Sequence, residues 1–200
     1  MSSPSRRRTR VSLAICAVGV AVLASVTPAT GAVRPHDASA SYSCADRALS
    51  VGGMAFPVAV TGNTPTSVSA PVAQVSMSDV QGALTIPASA LDKPMSKGAT
   101  TVTATVNTFD INASDARVKT MNVTNSPVTV GPVTLVAGQP AVLIFPSSPT
   151  TTGIWGAKKV GTMTFTTGKI TMELDLGPPG TSTLRCKPKP PAVISTTTVT

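Results

Sequence analysis

Apolar and polar residues alternate with a period of two in short stretches along much of the chain. In the clearest stretch, Ile170, Met172, Leu174 and Leu176 alternate with Thr171, Glu173 and Asp175. Residues 73–78 and 101–106 repeat the pattern. Because successive side chains of a strand point to opposite faces, each stretch predicts a strand with one apolar face. Such strands need a second sheet to cover them.

Further strand candidates are separated by residues typical of turns. The candidates are 55–61, 82–86, 128–136, 141–145, 162–166 and 183–186. Thr167-Gly168 predicts a hairpin between two adjacent strands. Only residues 88–97 suggest a helix, and Pro94 limits it to one or two turns in a connection. Many short strands spaced about 8 to 12 residues apart predict an all-β fold, an antiparallel two-sheet sandwich.

Residues 1–32 have the three parts of a signal peptide: a basic start ending at Arg10, an apolar run from 11 to 26, and small residues before the cleavage site. We predict cleavage after Ala32, with cleavage after Gly31 as the alternative. The apolar run is shorter than the roughly 20 residues that span a bilayer. The sequence therefore predicts an exported protein with no membrane span after removal of the signal-peptide helix.

Two polar segments flank the predicted domain. Residues 33–43 are small and polar, include the only histidine, His36, and predict a flexible linker. Residues 187–200 are rich in Pro and Thr and predict an extended, solvated tail, either a spacer or a frayed end.

Charge argues against a nucleic-acid partner. The full chain has 16 Lys and Arg against 8 Asp and Glu, but four of the basic residues lie in the signal peptide. The chain beyond residue 32 is therefore close to +4. Its positive charges are scattered, and aromatic residues, which supply stacking platforms for bases, are only 3% of the chain.

Two cysteines remain once Cys16 leaves with the signal peptide, and they bound the predicted β-sandwich domain, 44–186. Export permits a disulfide, and Cys44 with Cys186 is the one intramolecular pairing left. Closing a loop of this size contributes at most on the order of 5 kcal/mol in the chain-entropy model. The alternative, two free thiols with a metal or redox role, lacks the CxxC spacing of such sites.

No residue set predicts catalysis, a cofactor or a metal site. A Ser-His-Asp arrangement is disfavoured because His36 lies outside the domain. Glu173 and Asp175 are two apart on one strand, so both belong to its solvated face. Asp110 and Asp115 offer calcium-type oxygen ligands without the dense spacing of a calcium loop.

The candidate binding loop contains Trp155, Lys158 and Lys159. Trp155 is the only tryptophan and stands in the glycine-flanked segment 153–156. A ring stacking on a sugar and a ring buried in the core are the two interpretations, and large aromatic residues mainly supply buried area.

The order of Tyr42-Ser43-Cys44, Leu84-Thr85-Ile86-Pro87 and the 162–176 segment leading to Cys186 resembles a known type of domain. It is similar to the cysteine-bounded, immunoglobulin-like domains of unknown function found in exported actinobacterial proteins. The resemblance covers about residues 40–188. It implies a β-sandwich whose two cysteines join its first and last strands, located outside the cell or at its wall. Ala45-Asp46-Arg47 departs from the more apolar continuation expected after the first cysteine.

The sequence thus predicts an exported, non-enzymatic β-sandwich module, structural or binding, at the cell envelope or outside the cell. We expect a monomer that is secreted or associated with the cell wall. Its expected partner is a cell-wall polymer or an extracellular protein. The alternatives are an unrecognised secreted hydrolase and a binder that resembles a protease inhibitor.

Overall fold

The computed structural model describes residues 33–46, 49, 51–70 and 73–200, and most of them lie in strands. In chain order the elements are β1 (Val33–Asp46), β2 (Val51–Pro65), β3 (Ser67–Val68), β4 (Gln74–Val75), β5 (Ser78–Ile86), α1 (Ala88–Ser96), β6 (Thr101–Ala113), β7 (Thr120–Asn122), β8 (Val128–Thr134), β9 (Ala141–Thr150), β10 (Trp155–Gly156), β11 (Gly161–Asp175), β12 (Thr181–Pro188) and β13 (Val193–Val199). The predicted signal peptide and its cleavage site lie outside the described residues.

The strands form a hydrogen-bonded path β9-β5-β2-β1-β12-β11-β6, with β7 and β8 on the far side of β6 and β13 beside the first half of β11. The path folds over, because β6 packs face to face on β5 and β9. Phe109 of β6 meets Phe145 of β9 edge-on, with ring centroids 5.2 Å apart. A Cβ on Gly82 of β5 would lie 3.2 Å from the Phe109 ring. The fold is therefore an all-β sandwich, as the sequence predicts.

The alternating stretches 101–106 and 170–175 lie in strands as predicted, whereas only Gln74–Val75 and Ser78 of the stretch 73–78 belong to strands. Ile170, Met172, Leu174 and Leu176 are buried, whereas Glu173 and Asp175 are exposed. The expected short helix is present as α1, in the connection between β5 and β6, and it buries Ala90 and Leu91 against the core. Pro94 lies inside it, two residues before its end.

The prediction of a flexible linker at residues 33–43 is wrong. These residues belong to β1, whose whole length pairs with β2. Ala38, Ala40 and Tyr42 face the core and are buried, whereas Ser39 and Ser41 between them are exposed. The alternation is present in the sequence, but alanine and serine differ too little in hydrophobicity to mark a strand clearly.

The prediction of a solvated tail at residues 187–200 is also wrong. Strand β12 continues to Pro188, and β13 pairs antiparallel with β11 and parallel with β3. The Thr197 hydroxyl donates a hydrogen bond of 2.8 Å to the Pro65 carbonyl, and the Ser195 and Thr64 hydroxyls bond to each other. Burial of these polar side chains is possible because each has a partner. The resemblance placed Cys186 on the last strand, whereas it lies on the last but one.

The predicted hairpin at Thr167-Gly168 is absent, because β11 runs on as one strand through it. The pairing of β11 with β6 is irregular between Thr167 and Ile170, as in a β-bulge. A glycine is needed at position 168 because the backbone of β6 approaches closely there, not because the chain turns. A Cβ there would lie 2.7 Å from the Asp110 carbonyl oxygen.

Candidate functional site

The disulfide joins two neighbouring strands in the middle of the hydrogen-bonded path. Cys44 of β1 and Cys186 of β12 are directly paired, with Cα atoms 4.1 Å apart, and the S–S bond is 2.01 Å long. Both cysteines are buried. The predicted pairing is therefore present, and it links β1 to its hydrogen-bonded neighbour β12.

Trp155 does not present its ring to a ligand. Its side chain is fully buried, and the ring packs edge-on against Phe165 with centroids 5.1 Å apart. Its backbone pairs with Val75 in the two-stranded sheet of β4 and β10. The prediction that Trp155 belongs to a binding surface is therefore wrong. Trp155 is a core residue that anchors this loop. Its indole Nε1 has no hydrogen-bond partner among the described residues.

Lys158 and Lys159 are exposed, and the structure places them beside a second loop. Ala157 forms a β-bridge with Ala116. The Arg117 amide donates to the Gly156 carbonyl at 2.8 Å, and the Lys158 amide donates to the Asp115 carbonyl at 2.9 Å. Residues 114–119 and 153–160, joined by these bonds, are called the basic loop surface below.

Sequence reasoning missed two cations of this surface, Arg117 and Lys119. Both are exposed, and the Arg117 side chain lies across Gly156, where a Cβ would be 3.4 Å from its Cδ. The Lys159 ammonium pairs with the Asp115 carboxylate at 3.3 Å. The short charged run at 115–119 was a visible signal, but 38 or more residues separate it from Lys158, so only the fold brings the two together.

A second polar cluster lies inside the sandwich around Tyr42 and Asp110. Burial raises the pKa of Tyr42 to about 12; the Thr167 side chain lowers this pKa in part, and the charge of Asp110 raises it. The Tyr42 hydroxyl makes no hydrogen bond of standard geometry with any described residue, Thr167 included. Burial also raises the pKa of Asp110, partly offset by the Lys169 ammonium 3.7 Å from its Oδ2.

The carboxylates considered in the sequence do not converge. Asp110 is paired with Lys169 and Asp115 with Lys159, so the two face different cations. Across residues 33–46, 49, 51–70 and 73–200, no three His, Cys, Asp or Glu side chains are grouped closely enough to hold a metal ion. Glu173 and Asp175 lie on an outward face.

Comparisons with known proteins leave the family open. No protein-family model matches the chain, and no curated protein matches it. A solved structure, a putative membrane anchored protein from Corynebacterium diphtheriae, is similar to 84% of this chain with a TM-score of 0.46 and 15% identity. The alignment spans 38% of that protein.

Within the part of the chain that the structure describes, no helix has the length and apolarity needed to cross a membrane.

Proposed function

We propose that this protein is an exported, non-enzymatic β-sandwich module that binds or supports a component of the cell envelope or of the extracellular space. We also propose that it is related to the cysteine-bounded domains of exported actinobacterial proteins that its sequence resembles. It would act as a monomer, held at the envelope or released, with a wall component or an extracellular protein as its partner.

The observation that carries this proposal is the buried pair Cys44–Cys186. Structural disulfides persist in oxidising compartments and are rare where thiols are kept reduced. The bond joins directly paired residues of β1 and β12. The predicted signal peptide supports the same location independently.

The non-enzymatic part rests on where the ionisable groups lie. Asp110 and Asp115 each face a lysine, and Glu173 and Asp175 project outward from β11. Asp110 lies near the hydroxyls of Tyr42 and Thr167, but both of these side chains are fully buried and so are closed to a substrate that a nucleophile would attack. The exposed loops and the rigid frame are more typical of a binding domain.

Thiol state and turnover test the proposal together. The purified protein is denatured without reductant and treated with a maleimide, and we expect neither Cys44 nor Cys186 to be labelled until a reductant is added. The same preparation is incubated with pooled ester, glycoside and peptide substrates, and with isolated cell envelope. We expect retention on the envelope and no turnover.

The control is the Cys44→Ser, Cys186→Ser double variant, which separates effects of the bond from effects of the fold. Free thiols in the purified protein would contradict the proposed compartment. Turnover that survives repurification would make the protein a hydrolase, and stoichiometric protection of a protease would make it an inhibitor. Either result would overturn the proposed function.

A further inference from the structure

The basic loop surface carries most of the excess positive charge of the chain beyond residue 32. It holds Arg117, Lys119, Lys158 and Lys159 against a single carboxylate, Asp115, and so carries +3. The whole chain beyond residue 32 has twelve basic and eight acidic residues, a net charge of +4. Among the described residues, only Lys159 of these four cations has a carboxylate within ion-pair distance. Three cations are therefore left to attract an external anion.

The same surface exposes large aliphatic side chains. Val118 is 49% exposed, Ile154 58% and Val160 63%. They are three of seven large apolar side chains that are exposed in the described part of the chain. Val118 stands between Arg117 and Lys119, and Val160 follows Lys159, so the apolar and cationic groups are interleaved.

The basic loop surface is preformed by contacts within the protein. The two loops are joined by the bridge between Ala116 and Ala157, and Ala116 is fully buried. The Ser114 amide donates to the Thr164 carbonyl at 2.9 Å, and the Thr164 amide donates back to the Ser114 hydroxyl at 3.0 Å. Trp155 lies beneath, packed on Phe165. A preformed surface loses little conformational freedom on binding.

We propose that the basic loop surface binds the surface of a lipid bilayer that contains anionic phospholipids. Cations next to such a bilayer are attracted by its negative surface potential, and aliphatic side chains leave water by entering the headgroup and acyl boundary. A soluble anionic polymer accounts for the cations alone, because it leaves Val118, Ile154 and Val160 in water. The aliphatic side chains therefore select the bilayer. This inference rests on the proposed function and specifies its partner.

Three binding measurements test the inference. The protein is co-sedimented with phosphatidylglycerol vesicles and with phosphatidylcholine vesicles, and it is titrated with soluble polyphosphate. We expect the purified protein to bind the anionic vesicles, to bind phosphatidylcholine at least tenfold more weakly, and to lose affinity as salt rises. A cation next to an anionic bilayer is worth about a fivefold change in affinity. Lys119→Glu with Lys158→Glu should therefore weaken binding at least 25-fold.

A second variant addresses the aliphatic part. Ile154→Ser with Val160→Ser should weaken binding to anionic vesicles about tenfold or more and leave binding to polyphosphate unchanged. Matched controls are Lys187→Glu with Lys189→Glu, which reverses two exposed charges elsewhere, and Val142→Ser with Ile144→Ser, which removes the same exposed aliphatic types from β9. Both controls should retain the affinity of the parent protein.

Failure of the parent protein to bind phosphatidylglycerol vesicles at low salt would overturn the inference, whatever the variants do. Equal losses in the controls would overturn the assignment to this surface. Unchanged vesicle binding by the serine variant, with loss in the glutamate variant, would replace the bilayer with an anionic polymer. In each of these cases, envelope retention without turnover would leave the proposed function standing.

Discussion

At the scale of single residues, the hydrophobic pattern predicts least about the polar atoms inside the sandwich. The pattern correctly buries Ile170, because its neighbours alternate clearly. It gave Trp155 two interpretations, and the structure supports the core. It could not foresee that Tyr42 places its hydroxyl beside Thr167 and Asp110, because strands β1, β11 and β6 meet there only after folding.

Ionisation of Tyr42 should be coupled to unfolding. Its pKa of about 12 in the folded protein exceeds the ordinary value of 10.0, so the folded state keeps its proton more strongly than the unfolded chain. The contribution of Tyr42 to the free energy of unfolding is then constant below about pH 10. It falls by about 3 kcal/mol as the pH rises through about 12. Tyr42 is the only tyrosine, so phenolate absorbance follows this group alone.

The matched variant is Tyr42→Phe, which keeps the ring and removes the buried hydroxyl. It should unfold with a free energy within about 1 kcal/mol of the parent protein at neutral pH, because the lost hydroxyl has no partner. It should also lose the extra alkaline destabilisation, because phenylalanine has no phenol to ionise. A phenolate midpoint near 10 in the folded protein would contradict the burial of Tyr42.

At the scale of elements, alternation predicted the strands whose two faces differ strongly and missed those whose faces differ weakly. The second half of β11 and the first half of β6 were predicted correctly because apolar residues there alternate with Thr and charged residues. Strand β13 was not, because Ser195 and Thr197 are buried through hydrogen bonds that no sequence pattern reports. The basic loop surface was missed for a related reason, since its two loops are distant in sequence.

The packing of β13 can be tested at its two faces. Thr197→Val removes the hydroxyl that donates to Pro65 and should lower the free energy of unfolding by about 1–2 kcal/mol, since a partly buried carbonyl loses its partner. Thr198→Val, on the exposed face of the same strand, should change it by less than about 0.5 kcal/mol. Urea unfolding measures both, and equal midpoints for the two variants would mean that residues 193–199 do not pack on the sandwich.

At the scale of the whole molecule, the sequence predicted the all-β sandwich and its cysteine bracket but drew the domain too small. Both segments assigned to solvent, 33–43 and 187–200, are strands of the sandwich. Residue 33 pairs with Pro65, and the Thr200 amide donates to the Val68 carbonyl, so residues 33 and 200 lie at the same end of the sandwich. Long-range pairing of this kind depends on the completed fold.

The position of the Cys44–Cys186 bond gives the sandwich a mechanical limit. A load applied between residues 33 and 200 can peel off only residues 33–43 and 187–200, 25 residues in all, because the bond closes the segment between them. Extension should therefore stop after about 85 Å of released chain. In optical tweezers, adding a reductant should release roughly 490 Å more, as the 143 bracketed residues unravel. Under tension the protein should therefore release only a short length of chain for as long as the disulfide is intact.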